Sequence, residues 1–160
     1  LWREDLVAFL LGCSFTFDTA LVNAGIEVPH MRQGSGQNVP MFATSIETKA
    51  AGQFHGPMVV SMRAVPRQKV VKAVQVTSRF PTMHGAPIHI GDPEAIGIRD
   101  VRTPDYGSAV PIGPEDVPVF WACGVTPQQV CLASKPPFMI SHAPGHMFVT
   151  DVRDEDMAVI

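Results

Sequence analysis

The stretch VFWACGVTP, residues 119–127, changes character at its middle. Val119, Phe120, Trp121, Ala122 and Cys123 are apolar without alternation, the pattern of a strand covered on both faces. Gly124 breaks the run. Thr126 and Pro127 then supply a cap and a proline at the first helical position, so a short helix opens there and extends to about Ser134. Pro136 and Pro137 stop it. Residues 138–142 have the composition of a second strand and residues 147–151 that of a third, after a turn at Ala143, Pro144 and Gly145. Strand, helix, strand implies a parallel pair joined by a crossover. Cys123 and His142 would then share one sheet edge beside the helix N-terminus. Open α/β sheets bind ligands at that edge, and a helix N-terminus favours an anion.

Working outward, residues 2–11 (WREDLVAFLL) predict a helix ended by Gly12. Ser14 or Thr16 can cap a second helix, with Phe17, Ala20, Leu21 and Ala24 at the spacing of one apolar face and Gly25 just past its end. Residues 28–56, with Gly34, Gly36, Pro40 and Gly52, predict irregular structure, and His30 a surface position. Two strands are expected over residues 57–65 and 69–80, around a short turn. In the second, alternation separates Val70, Val74 and Val76 from Gln75, Thr77 and Arg79. The expected fold is mixed α/β (α+β) with two lobes and a cleft between them. Residues 1–30 with 110–160 form the lobe carrying the parallel unit, and residues 38–100 form the other.

At 46% apolar and 17% charged, the 160 residues have the composition of a folded globular domain. Proline, at 15 residues, is about twice its usual share, which favours short elements and defined loops. No basic run with interleaved aromatics appears, so nucleic acid is not an expected partner. No apolar run reaches the length of a membrane span. Three cysteines (Cys13, Cys123 and Cys131), with no CxxC pair, point to a reduced, cytoplasmic setting.

The candidate chemistry concentrates in FPTMHGAPIHIGDP, residues 80–93, and in the loop bearing His142 and His146. His84, His89 and Asp92 could coordinate a divalent metal, exchange protons near neutral pH, or simply bond the backbone of a proline-stiffened loop. The spacing matches no known metal motif, so a metal ranks second and no cofactor is expected. His142 and His146 are spaced for one helix face, but Pro144 and Gly145 forbid a regular helix there. Cys123 is a minority candidate for a thiol nucleophile with a lowered pKa. Arg79 and Arg63 offer two-pronged donors for a substrate carboxylate.

Several longer segments together are familiar. LLGCSF (10–15), NVPM (38–41), FHGPMVVSMR (54–63), TSRFP (77–81), HGAP (84–87), HIGDP (89–93), VFWACGVTP (119–127) and HAPGHM (142–147) resemble the D-glutamate cyclase family, nearly end to end. The resemblance implies closure of D-glutamate to 5-oxo-D-proline with loss of water, reversibly. It also implies an N-terminal portion beyond this chain. Ring closure needs a deprotonated amine, an electrophilic carboxyl and a stabilised oxyanion. For that reaction Arg79 is the candidate to hold the α-carboxylate, and Arg63 and Ser14 are further candidates to bind the substrate. His84 or His89, steadied by Asp92, would exchange protons, with His142 or His146 as the second proton-transfer group. The backbone amides of Gly124, Val125 and Thr126 would face the oxyanion, with Cys123 beside them on the substrate side. The expected partner is a small anionic amino acid or lactam, and a homo-oligomer is allowed. A non-catalytic amino-acid or lactam carrier, and a lyase hydrating another small carboxylic acid, are the alternatives.

Overall fold

The computed structural model describes residues 1–32, 38–143 and 145–159, so Gly34, Gly36 and Pro144 lie outside the described residues. Among them, four strands form one sheet in the order β1-β2-β4-β3: β1 Met41–Glu47, β2 Pro57–Pro66, β3 His89–Ile90 and β4 Asp116–Ala122. Every neighbouring pair is antiparallel. Four helices accompany it: α1 Phe15–Asn23, α2 Pro29–Arg32, α3 Val70–Thr77 and α4 Thr126–Ser134. The mixed α and β character is therefore present, but the parallel unit is not. Residues 138–142 and 147–151 form no strand, and their apolar side chains at Ile140, Phe148 and Val149 stand exposed. A strand lives on the ladder and face it can share, and these segments have neither. The sheet takes strands from both of the segments assigned above to separate lobes.

The register sorts the two faces. Ser61 lies opposite Trp121 and Arg63 opposite Val119, so these four residues share a face. That face is covered by α1 and α3, whose Phe17, Leu21 and Ala73 pack with Val65, Phe80, Val119 and Trp121. On the other face Val60, Met62 and Phe120 pack with Phe42, Ile96, Ile98 and Val110. Position 119–123 is thus covered on both sides, as its unbroken apolar run requires.

Three further expectations are corrected. Residues 2–11 form no helix and are mostly exposed; without an apolar surface to pack on, so short a helix is marginal. Residues 69–80 form a 3-10 turn and helix α3 rather than a strand, burying Ala73 and Thr77 one turn apart. Residues 28–56 contain both α2 and β1.

Candidate functional site

The centre of the helical face is charged. Arg63, in the middle of β2, is 1% exposed, and Asp18, on the inward face of α1, is 2% exposed. Arg63 Nε donates to Asp18 Oδ1 and Nη2 to Oδ2, each at 3.0 Å. His30 Nε2 meets the same Oδ2 at 3.0 Å. His30 is therefore buried against a carboxylate, which corrects its surface assignment: α2 turns it inward. The guanidinium lies between Phe17 and Trp121, with its central carbon 5.3 and 5.4 Å from the two ring centroids. Its remaining bonds run to hydroxyls, Nη1 to Ser61 Oγ at 2.7 Å and Nη2 to Ser14 Oγ at 3.1 Å. Burial alone would push the Asp18 carboxyl up, but Arg63 and His30 outweigh it and hold the group below its ordinary value.

Ser14 occupies the N-cap position of α1 yet makes no side-chain cap bond. Its hydroxyl is taken by Arg63 instead. This departs from the expected cap, and such local departures mark sites under another demand.

His84 borders the same region. It sits in the left-handed conformation at φ 77°, uncommon for a residue with a side chain. The turn 80–84 that imposes this abuts Gly12: a Cβ at Gly12 would fall 2.1 Å from the Thr82 carbonyl oxygen and 2.6 Å from Met83 Sδ. A hydrogen bond to the Gly12 main chain holds the imidazole, while Nε2 is buried with no partner among the described residues. Burial, reinforced by the positive field of Arg63, lowers the pKa of His84 against the smaller opposing pull of the Gly12 bond. It is a neutral imidazole at neutral pH with one ring nitrogen unengaged.

Of the residues singled out from sequence, Ser14, Arg63, His84 and Cys123 gather around this centre. Cys123 and Cys13 are both pushed up by burial, which overturns the expectation of a lowered thiol pKa at Cys123. The Val125 amide bonds the Cys123 sulfur and the Thr126 amide donates to the Cys123 carbonyl at 3.0 Å. Two of the three amides expected to face an oxyanion are thus used in the turn around Gly124. Thr126 Oγ1 meets the Val59 amide and carbonyl, at 3.0 and 3.2 Å, and ties α4 to β2.

The other candidates lie elsewhere. His89 pairs opposite Phe120 and its ring centroid is 5.9 Å from that of Phe120, so it belongs to the face opposite Arg63. Its Nε2 meets the main-chain carbonyl of Asp92 at 2.6 Å. The Asp92 carboxylate instead accepts the Glu94 amide at 3.1 Å, capping a 3-10 turn. Asp92 steadies His89 by its backbone, not its side chain. Among the described residues no group of three or more His, Cys, Asp or Glu could hold a metal, so His84, His89 and Asp92 do not converge on a shared ion. Arg79 is exposed and donates from Nε to the Val159 carbonyl at 3.2 Å. His142 is exposed, with Nδ1 2.8 Å from the Ala143 carbonyl. His146 is exposed in the same loop, its amide donating to Ala143. Asp18, His30 and Ser61 were missed. Asp18 follows Phe17 inside an apolar helix face, and that misplaced carboxylate was the available signal.

The model of the D-glutamate cyclase family matches residues 7–151. The chain belongs to the D-glutamate cyclase family. Proteins carrying the name "Putative hydro-lyase" share it: that of Psychrobacter arcticus is 60% identical over 99% of this chain and 60% of its own length. That of Thermoanaerobacter sp. is 62% identical over 98% of this chain and 58% of its own. That of Geobacillus kaustophilus is 61% identical over 100% of this chain and 60% of its own. The chain thus spans about three fifths of the length of these cyclase-family relatives. No described helix is long and apolar enough to cross a membrane.

Proposed function

We propose that the intact protein is a hydro-lyase that closes D-glutamate to 5-oxo-D-proline with loss of water, and runs in reverse. The observation that carries this is His84: half-buried, neutral, and with a buried Nε2 unengaged among the described residues. Ring closure requires a group that takes a proton from the attacking amine and delivers one to the departing oxygen. A neutral imidazole with a free ring nitrogen has that capacity. The amine nitrogen forms a bond to the side-chain carboxyl carbon, a C–O bond breaks, and the oxygen leaves as water. The family name and the hydro-lyase names of the relatives support the same class of reaction. A reducing, cytoplasmic setting agrees with three unpaired thiols.

The test is to incubate the intact protein separately with D-glutamate, L-glutamate and 5-oxo-D-proline and to follow interconversion by chiral mass spectrometry. D-specific interconversion is the expected result, and no turnover of any of the three would overturn the assignment.

A further inference from the structure

The buried cluster around Arg63 holds more donors than acceptors. A guanidinium has five N–H groups and each serine hydroxyl one O–H. Nε and one Nη2 proton go to Asp18, the other Nη2 proton goes to Ser14, and one Nη1 proton goes to Ser61. The two hydroxyl oxygens are 3.5 Å apart, so one can donate to the other. Among the described residues, that leaves the second Nη1 proton and one hydroxyl proton with no acceptor. Both belong to side chains at most 3% exposed, and buried donors without acceptors are rare in folded proteins. The arginine cannot swing away to find water, because Asp18 fixes one edge and the Phe17 and Trp121 rings clamp its faces.

Two neighbouring donors backed by a positive charge match the two oxygens of a carboxylate. We propose, resting on the reaction assigned above, that Arg63 Nη1 with the Ser14 and Ser61 hydroxyls is the subsite for the substrate's α-carboxylate. That group is unchanged by ring closure, so one subsite serves both the amino acid and the lactam. It fixes one end of the substrate while the other end reacts at His84, whose turn touches Gly12 two residues before Ser14. Asp18 and His30 act behind Arg63 as positioning residues.

The experiment is isothermal titration of the intact protein with 5-oxo-D-proline and with its neutral primary amide, for wild type, Ser14→Ala, Ser61→Ala and His84→Asn. The acid should bind about tenfold or more tighter than the amide to wild type. That preference should collapse in both serine variants, which should stay folded but melt a few degrees lower for the Arg63 donor each leaves unpaired. In turnover, the serine variants should raise KM more than they lower kcat. His84→Asn should keep the preference and lose turnover. Equal affinity for acid and amide in wild type, no binding of either, or a preference that survives in both serine variants would overturn the subsite. A preference that behaves as described in a protein without turnover sinks the reaction and leaves the subsite standing. Turnover without any preference does the reverse.

Discussion

Replacing Asp18 with Asn keeps the shape of the side chain and removes the charge that Arg63 was buried against. Asp18 receives Arg63 Nε, Arg63 Nη2 and His30 Nε2, each at 3.0 Å, and all three residues are at least nine-tenths buried. An Asn offers one acceptor oxygen and turns an NH₂ toward donors, so at least one of these bonds becomes a donor–donor clash. The guanidinium is then an uncompensated interior cation. Removing one partner of such a pair costs about 3–5 kcal/mol. Over a chain of this size, each kcal/mol moves the melting temperature by about 2–4 °C, so Asp18→Asn should melt roughly 6–20 °C lower. The double variant Asp18→Leu with Arg63→Met should recover most of the loss, because an apolar pair owes no desolvation. The sign with pH follows from the lowered carboxyl pKa. The stabilisation from Asp18 is complete above about pH 4, the ordinary carboxylate range, and is lost as pH falls through the depressed folded value. Wild type and Asp18→Asn should therefore converge in acid. Urea unfolding of both variants across pH is the assay. A loss under about 1 kcal/mol at neutral pH, or a double variant no better than Asp18→Asn alone, would refute the account of the pair.

Four other outcomes are expected. The kcat/KM of wild type should fall on the acid side with an inflection below the ordinary histidine value, since burial depresses His84, and Asn at position 84, which tolerates the left-handed backbone, should lose about a hundredfold in turnover. His89→Ala should leave turnover near wild type, because His89 faces away from Arg63 and its ring nitrogen meets the Asp92 carbonyl; steady-state kinetics reads both. Gly12→Ala should cost about 1–3 kcal/mol in a thermal melt and displace the His84 turn, since its Cβ would fall 2.1 Å from the Thr82 carbonyl oxygen.

Helices α1 and α4 and strands β2 and β4 were legible from apolar runs and breaker residues, although neither Ser14 nor Thr126 makes the cap bond read for it, their hydroxyls going to Arg63 and Val59. Residues 69–80 were misread for a physical reason. Valine and threonine favour strands, but Lys72 lay on the supposed apolar stripe, and Val70, Ala73 and Thr77 also fit one helix face. Packing against α1 decided between them, as tertiary context regularly does. The parallel unit failed because element order cannot supply a partner strand to residues 138–142. At the site, Arg63 was visible as a two-pronged donor, Ser14 as a cap residue and His84 as a loop imidazole. What could not be read was which side of the sheet each would take. His84 and His89 are five residues apart and part company because His89 enters β3, opposite Phe120. His30 was hidden by distance in the chain, since only the fold brings it to Asp18.

The most direct test of the central claim is chiral mass spectrometry of D-glutamate and 5-oxo-D-proline incubated with the intact wild-type protein and with His84→Asn. Interconversion of the D-forms by wild type, cut about a hundredfold in a folded His84→Asn, is the predicted result. Turnover that persists unchanged in that variant, or is absent from wild type, would contradict it.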